Sequence, residues 1–250
     1  MKRRLVAALA CRNQGSRLYG KPLQNLDVEK KIRIIDNIVD CLKTLDCIDE
    51  IVLGIAEGSE NDIYREIAEE KGLRYILGDE MDVLSRLIQC GQLAQATDIF
   101  RVTSESPFLY FEAVEDLWRR HQEEWADASF MEDIIDGCGF EIVSQKTFEE
   151  AHSKGDSRHR SEHCSLYIRE HYRAYKLIRV SPSEKLIRKD LRLTVDNPED
   201  LVVCRAVYGI FKHLAPRIPV LEIVRFLDAN DKLIEMIAPF TESGYATMYR

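Results

Sequence analysis

From residue 5 to about residue 124, apolar segments of strand length alternate with segments whose apolar residues recur at helical period. That alternation restricts the chain to an α/β fold on a mostly parallel sheet flanked by crossover helices. Strands are predicted at 5–10, 50–56, 73–77 and 98–103, and helices at 30–45, 61–70, 82–94 and 112–124. Ser59 followed by Asp62 fits a capping box at the second helix. Past about residue 126 the pattern loosens into short strands at 127–131 and 140–144, then a stretch rich in His and Arg at 153–171. The region at about 126–190 reads as a small α+β insertion for substrate binding or dimerisation. Sheet character returns at 192–195, and Asn197-Pro198-Glu199-Asp200 opens a helix to about residue 213, with Pro198 in the first turn and two carboxylates at the positive helix end. Helices are predicted at 220–227 and 230–236, and residues 238–250 show no clear period. Without repeats or a flexible linker, residues 1–250 read as one domain.

A chain of 250 residues can bury a large core. Its net charge of -8 and the lack of any run of five Lys or Arg argue against nucleic acid or an anionic membrane as partner. A small anionic ligand needs only a few local cations and backbone donors. The seven cysteines, Cys11, Cys41, Cys47, Cys90, Cys138, Cys164 and Cys204, form no C-x-x-C pair and read as reduced, packed thiols. No apolar run approaches the roughly 18 to 20 residues of a membrane helix, so a cytoplasmic location is expected. Met1 to Arg4 before an apolar run and Cys11 mimics a lipoprotein signal. The run is shorter than a minimal secretory core of about 7 to 15 residues and Arg12 follows at once, which favours a buried first strand.

The segment Cys11-Arg12-Asn13-Gln14-Gly15-Ser16-Arg17-Leu18-Tyr19-Gly20-Lys21 places three cations and two glycines directly after that strand. Open α/β sheets bind ligands at the carboxyl edge of their strands, where a glycine-containing loop lets amides and Arg or Lys side chains approach phosphate. The segment fits neither a Walker A loop nor a G-x-G-x-x-G turn. On physical grounds alone it is either a triphosphate site or a solvated basic loop.

The string resembles the R-x-G-S-T-R-L-P-G-K signature of cytidylyltransferases of the spore-coat polysaccharide, Kdo and acylneuraminate type, with Arg12, Arg17, Leu18, Gly20 and Lys21 in register. Gly78-Asp79-Glu80-Met81-Asp82-Val83-Leu84-Ser85-Arg86 resembles the G-S-E-D-D-V-L-S-R segment of the spore-coat group. Arg101-Val102-Thr103 resembles the R-I-T before that family's metal-binding G-D-C-P. Leu191 to Leu201 resembles R-L-T-V-D-T-P-E-D-L, and weaker counterparts occur at 137–148 and 162–169. The resemblance runs from residue 5 to roughly residue 236.

It implies a Rossmann-like nucleotidyltransferase sheet of the GT-A-like kind and a Mg²⁺-dependent attack by an acceptor oxygen on the α-phosphorus of CTP, with release of pyrophosphate. Arg12, Lys21, Glu105 and Asp196 are the implied catalytic set. Arg12, Gly15, Ser16, Arg17 and Lys21, with Asp82, Ser85 and Arg86, are implied to bind CTP. Glu105 and Asp196 would hold the magnesium, with Glu105 replacing the family's Asp and carrying its carboxylate one methylene further out. Glu141, Arg160, His163, Tyr167 and Arg169 are the candidates for a small anionic acceptor, a sugar acid or a phosphorylated or phosphonate compound, with His163 also a candidate general base. A homodimer is implied. The competing readings are a nucleotide-sugar-dependent glycosyltransferase, which usually needs a D-x-D motif where this chain reads Ser104-Glu105-Ser106, and an inactive nucleotide-binding homologue.

Overall fold

A computed structural model of the chain describes residues 3–15 and 17–248. Strand β1 (Leu5–Cys11) is followed by a short antiparallel pair, β2 (Asn25–Asp27) and β3 (Ile32–Arg33). Then come α1 (Ile34–Leu42), β4 (Glu50–Ala56), α2 (Ile63–Lys71), β5 (Arg74–Gly78), α3 (Val83–Leu93), β6 (Asp98–Arg101) and α4 (Val114–Glu123). The chain continues through β7 (Ala128–Met131), β8 (Glu141–Ser144), α5 (Gln145–Lys154), the short helices α6 (Ser157–Arg160) and α7 (Leu166–Glu170), and β9 (Leu177–Val180). Helices α8 (Pro198–Phe211), α9 (Val220–Asp228) and α10 (Asp231–Met248) complete it.

Seven strands form one sheet in the order β5-β4-β1-β6-β8-β7-β9. β1 pairs in parallel on both sides, Ala7 lying opposite Ile51 of β4 and Phe100 of β6. Only β8 runs antiparallel to its neighbours, and β9 is parallel to β7. Leu5 to Leu9 are fully buried, as a central parallel strand covered on both faces must be. Leu5, Ala7 and Leu9 pack with Ile35 and Ile38 of α1, Ile67 of α2 and Leu117 of α4, whereas Val6 and Ala8 pack with Leu84 and Leu87 of α3 and Phe148 of α5. Each such large apolar side chain contributes about 1.5–3 kcal/mol by leaving water. The chain winds from β1 out to β5 and then returns to the opposite flank of β1 with β6. The winding direction therefore switches between β1 and β6, and at their carboxyl ends this opens a crevice.

Four local expectations change. The helix predicted from residue 30 begins at Ile34, because Ile32 and Arg33 pair with β2. The Ser59 capping box is absent: Ser59–Asn61 forms a 3₁₀ turn, and Asp62 at the start of α2 makes no side-chain capping bond. Asn61 is drawn in instead to brace the basic loop, its Oδ1 accepting from the Asn13 amide at 2.8 Å. Residues 192–195 make a single parallel bridge, Asp136 to Arg192, and do not join the sheet. They cross its carboxyl edge, where Leu193 N donates to Asp136 O at 2.7 Å and Val195 N to Glu105 O at 3.1 Å. The last helix, predicted to stop near residue 236, continues through Pro239 to Met248.

Candidate active site

A cavity of about 700 Å³ occupies the crevice at the carboxyl ends of β1 and β6. Its first wall is the basic loop, which is anchored from below. Tyr64 of α2 donates to Arg12 O at 3.2 Å, and Gly20 N donates to Asn13 O at 2.8 Å, closing the loop on itself. Arg12, Gly15, Arg17 and Lys21 line the cavity; Ser16 lies outside the described residues. Among the described residues the Arg12 guanidinium makes a single ion pair, at 3.6 Å with the exposed Glu162, which leaves it room to meet a ligand phosphate.

The second wall carries carboxylates. Asp196 accepts from Lys21 Nζ at 2.6 Å, from Arg192 Nη2 at 2.7 Å, and pairs with Arg17 Nη2 at 3.2 Å. Burial alone would raise its pKa, but the three cations outweigh burial and hold it below the ordinary carboxylate range. Glu105, half-buried beside it, is shifted the other way: burial and the Asp196 charge raise it, with Lys21 opposing. Ser104 fixes this strand end, its buried hydroxyl donating to Ala10 O at 2.8 Å and lying 3.4 Å from Glu105 Oε2. A third carboxylate, Asp136, lines the same cavity and is pushed up to about 6 by burial, with Arg192 opposing and Asp196, Asp200 and Glu105 adding. Burial, helped by the neighbouring carboxylates, thus outweighs the nearby cations at Glu105 and Asp136 but not at Asp196.

At the far end, Glu141 of β8 accepts from Arg101 Nη1 at 3.0 Å, Arg169 Nη2 at 2.9 Å and Ser165 Oγ at 2.7 Å. Burial acts upward on Glu141, yet Arg101 and Arg169 bring it down to about 2. Arg169 also pairs with Glu132 at 2.5 Å and stacks over Phe130, 4.0 Å from the ring centre. His163 lines this end.

Arg12, Gly15, Arg17, Lys21, Glu105 and Asp196 therefore meet in one cavity with Glu141, His163 and Arg169, and five expected residues are placed differently. Asp82 and Ser85 are not among the cavity-lining residues: Asp82 caps α3 by accepting from Ser85 N at 2.8 Å and pairs with His152 at 2.7 Å, while Ser85 Oγ accepts from Gln89 at 3.0 Å. Arg160 is turned to the carbonyls of His152 and Gly155, each at 3.2 Å, and Tyr167 stacks on His171 with ring centres 4.1 Å apart; neither lines the cavity. Arg86 borders the cavity but is 1% exposed, donating to Cys11 O at 3.1 Å, Gly54 O at 2.7 Å and Glu80 O at 3.3 Å. It fastens the ends of β1 and β4 together. Asp136, Arg101 and Arg192 were not singled out as site residues from the sequence. Gly137 beside Asp136 is explained by the structure: at φ 94 a side chain there would place its Cβ 2.4 Å from Thr194 N, where the 192–196 segment crosses.

The architecture is that of the nucleotidyltransferases with a Rossmann-like sheet. A cytidylyltransferase from Leptospira borgpetersenii serovar Hardjo-bovis superposes with a TM-score of 0.81 at 18% identity, covering 94% of this chain and 97% of that one. CMP:2-keto-3-deoxy-manno-octonic acid synthetase complexed with CTP gives 0.62 at 11% identity over 83% and 99% of the two chains. In sequence, the chain is 24% identical to the spore coat polysaccharide biosynthesis protein SpsF of Bacillus subtilis over 183 residues, 73% of this chain and 76% of that one. It is 22% identical to an uncharacterized protein of Methanocaldococcus jannaschii over 242 residues, 97% and 98% of the two. No protein-family model matches the chain. The resemblance to cytidylyltransferases read from the sequence is borne out by these likenesses.

Proposed function

We propose that the chain is a cytidylyltransferase that moves CMP from CTP to a small acceptor. One observation carries this reading: Asp196 is held by Lys21 and Arg17 of the basic loop, so the cations for a triphosphate and a carboxylate for its metal lie against each other in one cavity. The acceptor oxygen attacks the α-phosphorus, forming the new O–P bond as the bond to the β-phosphate oxygen breaks and pyrophosphate departs. Arg12, Arg17 and Lys21 bind the triphosphate and neutralise charge on the leaving group, a role for positioned cations that requires no reorganisation during the step.

Mg²⁺ fits the residues present. It prefers one or two carboxylates completed by water and phosphate oxygens, and Glu105 and Asp196 supply that number. Among the described residues no group of three His, Cys, Asp or Glu could hold a metal ion unaided. The raised pKa values of Glu105 and Asp136 mark carboxylates that a cation would stabilise. When bound, the ion would neutralise charge on the triphosphate and the departing pyrophosphate.

The acceptor is proposed to lie between the triphosphate end and Glu141. Arg160 does not reach it, and Arg101 and Arg169 are already engaged by Glu141 and Glu132, which favours an acceptor presenting hydroxyls. An anionic acceptor is the second reading, favoured by the position of Arg169 and His163 on the cavity wall. Incubating the protein with each nucleoside triphosphate, Mg²⁺ and a panel of sugars, sugar acids, phosphorylated compounds and phosphonates tests both, by pyrophosphate release. Release only with CTP sustains the reading, and the productive acceptor decides the class. CTP binding without pyrophosphate from any acceptor favours an inactive homologue, and turnover of a nucleotide sugar favours a glycosyltransferase. A homodimer in the cytoplasm remains part of the proposal; among the described residues no helix is long and apolar enough to cross a membrane. Light scattering that gives only monomer at micromolar concentration would remove the dimer.

A further inference from the structure

The sequence resemblance ends near residue 236, but the cavity wall does not: Gly244 of α10 lines it. Helix α10 reaches the site through three consecutive features. Phe240 O accepts from Arg192 Nη1 at 2.8 Å. Tyr245 Oη lies 3.0 Å from both Ile134 O and Arg188 O and shares its hydrogen between them, tying together the segments that carry Asp136 and Arg192. At Gly244 a Cβ would stand 2.5 Å from Asp136 Oδ2 and 2.9 Å from Arg192 Nη1. Gly244 is not among the positive-φ residues, so its backbone does not call for glycine; the space does.

We propose that α10 is part of the reaction centre, with Arg192 the positioning residue for Asp196 and Gly244 the aperture through which the helix seats against it. The proposal rests on the reading of Asp196 as a carboxylate that serves the triphosphate. Arg192 is 1% exposed: Nη2 donates to Asp196 at 2.7 Å, Nη1 donates to α10, and Nε lies 3.0 Å from Asp200 without a hydrogen bond to it. Asp136 is buried as well. A methyl group at 244 first displaces Asp136 Oδ2, its nearest neighbour, and then crowds the buried Arg192 Nη1; because Arg192 Nη2 holds Asp196, that carboxylate shifts with the guanidinium. The sign distinguishes this from an ordinary helical glycine, whose replacement by alanine favours the helix.

The test compares Gly244→Ala and the near-isosteric Tyr245→Phe with Glu242→Ala, a change at an exposed position on the same turn. In the ligand-free protein, amide hydrogen exchange of a peptide covering residues 188–197 is expected to speed up by about tenfold or more in the first two and to stay within about twofold in the control. CTP affinity is then titrated with and without Mn²⁺. Gly244→Ala should keep the metal-free affinity within about twofold and lose about tenfold or more of the gain that Mn²⁺ gives the wild type. Unchanged exchange in both variants overturns the proposal. Faster exchange with an intact Mn²⁺ gain also overturns it, since α10 would then be structural only. A wild type that does not bind CTP sinks the cytidylyltransferase reading, while the exchange arm still decides whether α10 holds Arg192.

Discussion

Arg86→Met separates a guanidinium that holds the sheet from one that holds the nucleotide. Among the described residues the side chain forms no ion pair; burial lowers its pKa, and its strongest contacts are the carbonyls of Gly54 and Cys11 at 2.7 and 3.1 Å. Methionine roughly fills the volume but leaves both carbonyls without that donor, at about 1–3 kcal/mol each. Removing a buried, unpaired charge offsets part of this, leaving a net loss of roughly 2–4 kcal/mol. At about 2–4 °C per kcal/mol for a chain of this size, the melting temperature should fall by roughly 4–16 °C. Differential scanning calorimetry, paired with CTP titration well below the transition, measures both consequences. An unaltered melting temperature with CTP binding abolished would refute the reasoning and return Arg86 to direct contact with the nucleotide.

Lys21→Met should weaken CTP binding by about 1.5–3 kcal/mol, roughly 10- to 150-fold, as measured by calorimetric titration; stability should change little, because Asp196 keeps Arg17 and Arg192. Glu105→Asp should retain or raise activity and shift the Mg²⁺ concentration for half-maximal pyrophosphate release, whereas Glu105→Ala should lose most turnover; equal loss in both would deny Glu105 a metal-binding role. Glu141 contributes stability above its unfolded-state pKa near 4.5, and this is lost as pH falls toward its folded value of about 2. Chemical denaturation of wild type across that window should show falling stability, with a flatter profile in Glu141→Gln.

The sheet was legible because the wholly apolar 5–10 segment and its helical-period neighbours admit few folds, and the site was legible where motifs fell directly after β1 and β6. Glu105 was read from the motif after β6 and Asp196 from the resemblance of the 191–201 segment, and both line the cavity. Arg86 was read as facing the nucleotide, although Val83, Arg86 and Cys90 follow one another at spacings of three and four and so share the buried face of α3. Arg160 and Tyr167 were read as acceptor candidates but do not line the cavity, because α6 and α7 are too short for a period to orient them and their directions are set by carbonyls and ring stacking. Residues 192–195 were read as a strand because their apolar alternation is genuine: Leu191, Leu193 and Val195 are buried, but in a segment that crosses the sheet's carboxyl edge. The role of α10 had no local signal, since a single glycine in a helix does not announce what it packs against.

The most direct measurement is CTP-dependent pyrophosphate release by the purified protein with Mg²⁺ and a fractionated extract of small metabolites as the source of acceptor. Release that requires CTP, requires an extract fraction and disappears in Asp196→Asn is the result expected of a cytidylyltransferase. Release that ignores the identity of the triphosphate, or that survives Asp196→Asn, would contradict it.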